Sequence, residues 1–316
     1  MKKIIKTLLL GAVVALAPVV QAGSAFADGE HFVLISHSPD SDSWWNTVKN
    51  AIKLAGKQMD VKVDYRNPTT GDIGDMARII QQVTASKPDG IITTLADFDV
   101  LKGPIKAATD QGIPVIIMNT GTADEAKAVG ALMYIGQPEY EAGLAAGKRA
   151  KSEGVTHFLC VNHTIQQPTV AERCKGYADG LGVKLGDSMM DSGTDPAEIK
   201  NKVLAYLSAH PEVNGILTIG PTSADPTIAA VKEKGIAGKI HFGTFDIDAE
   251  IVKAIKDGTI KWAIDQQPFL QGYLPVVLLT NYLRYGVLPG NNINSGPGFV
   301  TKDSLGKVEK FAGVYR

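Results

Sequence analysis

Cysteine is nearly absent from this chain of 316 residues, with only Cys160 and Cys174 present. Two cysteines are too few for a thiolate metal cluster or for a small fold held together by disulfides. Cys160 ends a predicted strand and Cys174 lies in the predicted helix that follows. A disulfide and a pair of buried free thiols both fit that spacing, since sequence separation does not settle geometry. Arginine is also scarce, at six positions (66, 78, 149, 173, 284 and 316). A phosphorylated ligand asks for two or more cations or a glycine-rich nest, and only Arg173 is well placed for one, so a neutral ligand is expected. The first strand-to-helix turn has no Gly-x-Gly, and the chain has no Walker loop, His-Glu-x-x-His, Gly-x-Ser-x-Gly or Cys-x-x-Cys, which removes the commonest enzyme classes. A metal held between His37 and His163, with Asp40 or Asp42 as third ligand, would need a tighter cluster. No metal and no cofactor are expected.

Charge of one sign is lacking too. The formal net charge is −1, and it becomes −4 once the three lysines of the N-terminal leader, Lys2, Lys3 and Lys6, are set aside. That balance argues against nucleic acid or an anionic membrane as partner. The longest apolar run, Leu8 to Val20, is too short to span a bilayer and is interrupted by Pro18. Behind the basic start and before Ala25-Phe26-Ala27, it reads as an export signal occupying residues 1–27. Cleavage is expected after Ala27, and the mature protein in a periplasm.

What remains alternates short apolar runs with helix-length amphipathic segments, the pattern of parallel βαβ architecture. Strands are predicted at 32–36, 61–65, 90–94, 115–118 and 132–136, then at 157–161, 184–189, 215–219, 241–244 and 260–264. Helices are predicted at about 44–59, 72–86, 99–111, 138–152, 169–182, 196–209, 224–234, 247–256 and 269–285. The segment Lys87-Pro88-Asp89-Gly90-Ile91-Ile92 has a counterpart at His210 to Leu217, which suggests two like-folded lobes. The fold class is α/β, with two doubly wound parallel-sheet lobes joined by a three-segment hinge. The expected lobes are 28–134 plus 267–296, and 135–266 plus 297–316.

Ligands of open α/β sheets meet the carboxyl ends of the strands. There the first lobe places Asp42, Trp44, Trp45, Thr94 and Asn119. The second places His163, Thr194, Thr222, Asp246 and, inside a helix, Arg173, with Gln266 at a return crossing. Indole faces suit the C–H-rich faces of a sugar ring and carboxylates accept from hydroxyls, so Ser43-Trp44-Trp45 points to carbohydrate. Each residue also has a plainer reading. Asp246 could cap the next helix, Thr94 could close a turn, Asn119 could serve only a left-handed turn, and Arg173 could pair with Glu172 or Asp179.

Ser43-Trp44-Trp45, Pro88-Asp89-Gly90-Ile91-Ile92, Gly112-Ile113-Pro114-Val115, Ala171-Glu172-Arg173-Cys174-Lys175-Gly176-Tyr177, Gly243-Thr244-Phe245-Asp246 and Asp257-Gly258-Thr259-Ile260 follow in that order behind the leader. In this the chain resembles periplasmic sugar-binding proteins of the ribose-binding type, over essentially its whole mature length. The resemblance implies the type I periplasmic binding fold. It also implies an aromatic clamp at Trp44 and Trp45 with Asp42 before it, a hydroxyl-binding Arg173, a strand-end carboxylate at Asp246 and a hinge glutamine at Gln266. Asn119-Thr120 and Gly220-Pro221 depart from the ribose pattern, so a hexose, ketose or sugar alcohol fits as well as ribose. Trp45 is the indole expected on the ring face. The implied role is capture of a monosaccharide or sugar alcohol by a monomer that delivers it to an ABC permease in the inner membrane, without catalysis. A receptor that only signals, or a periplasmic carbohydrate isomerase or hydrolase, is the alternative.

Overall fold

The first strand, β1 (His31–Ile35), runs into α1 (Trp45–Met59), β2 (Lys62–Arg66) and α2 (Ile73–Ala85) in the computed structural model, which describes residues 29–316. The expected export signal lies outside the described residues. Next come β3 (Gly90–Thr93), α3 (Phe98–Asp110), β4 (Val115–Met118), a short α4 (Ala123–Ala128) and β5 (Met133–Gly136). The second series is α5 (Glu139–Ser152), β6 (Phe158–Asn162), α6 (Pro168–Leu181), β7 (Met189–Asp191), α7 (Pro196–Ala209), β8 (Gly215–Thr218), α8 (Pro221–Glu233), β9 (His241–Phe245), α9 (Ala249–Lys256) and β10 (Trp262–Asp265). The chain closes with α10 (Pro268–Tyr285), β11 (Ile293–Asn294) and β12 (Gly298–Val300).

Two six-stranded sheets result, ordered β11-β5-β4-β3-β1-β2 and β12-β10-β9-β8-β6-β7. All pairings are parallel except β10 with β12. β3, β4, β8 and β10 are buried along their whole length, as strands covered by helices on both faces must be. The first sheet lies between α2 with α3 and α1 with α10, which bring Met76, Ile80, Leu101 and Ile105 to one face and Val48, Ile52, Val276 and Leu279 to the other. The second lies between α7, α8 and α9 on one side and α5 with α6 on the other.

α5 and α6 touch backbone to backbone because small residues line the contact. Gly143 and Gly147 face the carbonyls of Arg173 and Tyr177, while Gly176 and Gly180 face those of Tyr140 and Leu144. A methyl group at any of the four would enter the facing helix. Cys160 on β6 and Cys174 on α6 form a disulfide across a Cα–Cα distance of 5.9 Å, which ties α6 to its sheet. Closing a loop of this length contributes about 3 kcal/mol in the chain-entropy view.

The chain passes between the sheets after β5, after β10 and between β11 and β12. β5 belongs to the first sheet through Gly136, so a boundary at 134/135 falls inside a strand, and the chain leaves this lobe at Gln137. The strand predicted at 184–189 is shorter and later. Gly182 and Gly186 take positive φ, a 3-10 turn fills Gly186–Ser188, and β7 begins only at Met189. The helix predicted at 224–234 begins earlier, at Pro221, because proline suits the first helical position.

Candidate functional site

Strand order reverses between β1 and β3 in the first sheet, and between β6 and β8 in the second. The crevices at those reversals face each other across a cleft of about 670 Å³, within the usual size of a small-molecule site. Of the eleven residues singled out from sequence, Asp42, Trp44, Trp45, Asn119, His163, Arg173, Thr194, Thr222, Asp246 and Gln266 line this cleft. Thr94 does not: it is fully buried behind the wall, its hydroxyl 3.1 Å from His37 Nδ1. His37, which does line the cleft, is therefore set in place by Thr94.

The turn before α1 is ordered by Asp42, which accepts from the Ser38 hydroxyl at 2.8 Å and from the Trp44 backbone N–H at 3.1 Å. Burial pushes the Asp42 carboxyl above its ordinary pKa. The two indoles then diverge. Trp45, in the first turn of α1, is 2% exposed and packs edge-on to His37 and Trp44 within the core of its lobe. Trp44, only half-buried, reaches across the cleft and donates its indole N–H to Asp246 Oδ1 of the other lobe at 3.0 Å. The ring-face expectation for Trp45 is corrected accordingly. Trp44 is the indole available to a ligand, because adjacent helical residues point about 100° apart and the core claims one of them.

Asp246 is not a helix cap. Asp248 caps α9 by accepting from Ile251 N–H, which leaves Asp246 free to face the cleft. It also accepts from Gln266 Nε2 at 2.8 Å, and its second oxygen lies 3.8 Å from Arg173 Nη1. Burial pushes its carboxyl up to about 6, with Arg173, Gln266 and Trp44 acting in the opposite sense. Arg173 pairs with neither Glu172 nor Asp179. Its Nε and Nη2 donate to the two carboxylate oxygens of Glu139 at 2.6 and 2.7 Å, and Nη1 donates to the Ile219 carbonyl at 2.6 Å. The guanidinium also lies over the Phe245 ring, 4.5 Å from its centroid. Burial alone would weaken its charge, but Glu139 and Asp246 reverse that, and its pKa stands above the ordinary value. The two histidines carry no such support. Burial pushes His37 down to about 4, and burial together with the charge of Arg173 does the same to His163, so both are neutral imidazoles.

The hinge joins this cleft through amide side chains. Asn119 Nδ2 donates to Gln266 Oε1 at 3.3 Å and to Gln271 Oε1 at 2.9 Å, and Gln271 Nε2 donates to Ser295 Oγ at 2.9 Å. Gln137, on the first crossing, donates to Glu139 at 3.0 Å. Residues after β12 add a strap between lobes. Leu305 and Val308 are rooted in the second lobe's core, while the Val314 carbonyl accepts from Asn50 of α1 and Tyr315 packs edge-on to Phe269 of α10. Sequence reasoning missed Glu139, Gln137, Gln271 and this strap. Only Glu139 left a trace, as the first residue of a helix otherwise small on its buried side.

With neutral imidazoles, amides, carboxylates, one paired guanidinium and indole, the wall can exchange many hydrogen bonds. Among the described residues no group of three or more His, Cys, Asp or Glu is arranged to hold a metal ion.

The pattern of the family described as periplasmic binding protein domain matches residues 32–286. A xylose/arabinose-binding protein of Sulfolobus acidocaldarius is 24% identical over 264 residues, 78% of this chain and 65% of that protein. A D-ribose/D-allose-binding protein of Pseudomonas aeruginosa is 26% identical over 206 residues, 62% of this chain and 63% of that one. The matches thus span just under two thirds of both curated relatives. Among solved structures, a carbohydrate transporter of Acidothermus cellulolyticus in complex with myo-inositol is 33% identical with a TM-score of 0.82, over 90% of this chain and 98% of that chain.

Proposed function

Because the chain belongs to the periplasmic binding protein domain family, we propose that it is the extracytoplasmic solute-binding component of an ABC-type sugar importer. Its ligand is a neutral monosaccharide or polyol held between the lobes. The observation that carries this reading is the charge state of the cleft. Its one arginine is met by a carboxylate on two N–H groups, its two histidines are neutral, and every other polar side-chain group there is a hydroxyl, an amide, an indole N–H or a carboxylate. Such a wall suits hydroxyls on all sides and offers nothing to a phosphate. The names of the relatives, which bind pentoses, hexoses or myo-inositol, agree with that chemistry.

The mechanism is capture without bond-making. The ring lies against Trp44, the lobes close about the hinge, and Arg173, Asp246 and Asn119 complete the hydroxyl contacts. Ligand shifts the population toward the closed form by its differential affinity for that form. The protein is exported on residues 1–27, cut after Ala27, and acts as a periplasmic monomer that presents its closed lobes to a membrane permease.

A thermal-shift screen over pentoses, hexoses, ketoses, alditols and myo-inositol tests the reading, since a ligand of the native state raises the melting temperature. A rise with a neutral member and none with sugar phosphates is expected. A flat response across the panel would overturn it.

A further inference from the structure

We propose that Glu139 is a specificity-determining positioning residue: by gripping Arg173 along one edge and offsetting its charge, it makes that arginine a donor to neutral hydroxyls and closes the cleft to sugar acids. The inference rests on the sugar-binding reading above and goes on to say which sugars are refused.

A guanidinium has five N–H donors, and three of those of Arg173 are spent inside the protein, two on Glu139 and one on the Ile219 carbonyl. The Nε–Nη2 edge, one of the forks that takes a carboxylate in two parallel bonds, is already filled. Asp246 lies on the other side at 3.8 Å from Nη1. The groups that face this guanidinium are therefore Glu139 from α5, Asp246 from the end of β9, the neutral His163 beyond β6, the Ile219 carbonyl beyond β8 and the Phe245 ring. Carboxylates outnumber cations there, and an anionic ligand would meet a charge already answered.

Glu139 is built in for this task. It is 6% exposed, lines the cleft, and also accepts a hydrogen bond from Gln137 Nε2 at 3.0 Å. It sits in the first turn of α5, where the helix dipole favours a carboxylate. The glycine contact between α5 and α6 brings it against Arg173, 34 residues away in sequence.

Titration calorimetry of the wild type and of Glu139→Gln with D-xylose, D-glucose, myo-inositol and D-glucuronate tests the proposal. Glucuronate carries the xylose ring with one added carboxylate, so the pair isolates charge. The wild type should bind a neutral probe and refuse glucuronate. In Glu139→Gln the ratio of neutral to glucuronate affinity should fall at least tenfold, and the glucuronate binding gained should weaken as salt is raised. Glu139→Asp, which keeps the charge, should restore the refusal. Equal changes for both ligands in Glu139→Gln would reduce Glu139 to a structural role and overturn the inference. Should that variant fail to fold, the double variant Glu139→Gln/Arg173→Gln removes both charges together. It is expected to hold the neutral probe more weakly and still refuse glucuronate, and a tenfold gain of glucuronate binding would overturn the inference. A wild type that binds none of the neutral probes and also gives a flat thermal-shift response to the whole sugar and polyol panel would instead sink the sugar-binding reading itself.

Discussion

Asn119 and Asp246 occupy the same place in the two lobes. Each follows the fourth strand of its βα series, each takes a φ of 64°, and they are 7% and 5% exposed. Gln266 touches both, with its carbonyl oxygen on Asn119 and its amide N–H on Asp246. Yet one is a neutral amide and the other a carboxylate. The difference follows from the neighbours. Asn119 meets only amides, and Asp246 meets Arg173 and, through it, Glu139. The first jaw thus sets indole, imidazole and amide beside the single carboxyl of Asp42, and the second adds to its own imidazole a buried cluster of Arg173, Glu139 and Asp246 whose charges must be matched within the protein. Residues of the first can be exchanged at the cost of a hydrogen bond, while those of the second are coupled.

The largest expected effect tests that coupling. Arg173→Ala leaves Glu139 buried without its partner and should lower unfolding free energy by about 3–5 kcal/mol. Asn119→Ala strands only amide groups and should cost about 1–3 kcal/mol. Urea unfolding of the two variants checks the pair of values. Equal losses would mean that the jaws do not differ in kind.

Acidity probes the buried groups of the cleft in a second way. Asp246 has a native pKa of about 6 against a reference of 3.8, so between those values the folded state holds more protons, and this group's contribution to stability grows as pH falls. His37 and His163 stand at about 4 against 6.5. Between those values the unfolded chain holds more protons, so their contributions shrink on acidification. The two histidines thus lose their contribution between about pH 6.5 and 4, while Asp246 and Asp225, whose carboxyl is pushed up to about 7, act in the opposite sense. Asp246→Asn removes one of the opposing contributions and should tilt the stability curve further toward loss on acidification. Asn119→Asp, which adds a buried carboxyl to the first jaw, should tilt it the other way. Unfolding measured across this range decides. A curve for Asp246→Asn parallel to the wild type would show that the carboxyl does not titrate there.

The same contrast explains what could be read from sequence. The strands, the helices and the cleft residues at strand ends follow from local pattern and the strand-end rule, because apolar runs and the carboxyl ends of parallel strands are sequence-local. Asp246 was ambiguous only until Asp248, two residues on, was seen to be the cap. The partner of Arg173 was not legible, since a salt bridge between residues 34 apart depends on how closely two helices approach. The glycines that allow that approach are ordinary helix residues until their facing backbone is known. Of the paired indoles, the one expected on the ring face, Trp45, is the one the core takes, because that choice depends on the pitch of α1 against its sheet.

The smallest expected effect concerns the contact in which the first jaw reaches the second directly. Trp44 offers a ligand its ring face and offers Asp246 its N–H at 3.0 Å, and the two roles can be separated. Trp44→Phe keeps an aromatic face and deletes the donor. Its cost should be that of one hydrogen bond, about 0.5–1.5 kcal/mol, seen as a loss of roughly two- to tenfold in affinity for whichever neutral sugar the screen identifies. Trp44→Ala removes both and should lose at least tenfold, with little change in unfolding free energy because the side chain is only half-buried. If Phe binds as poorly as Ala, the ring face contributes nothing and the indole serves only to bridge the jaws. If Phe binds like the wild type, the bridge to Asp246 is incidental and stacking alone carries the contribution of the first jaw.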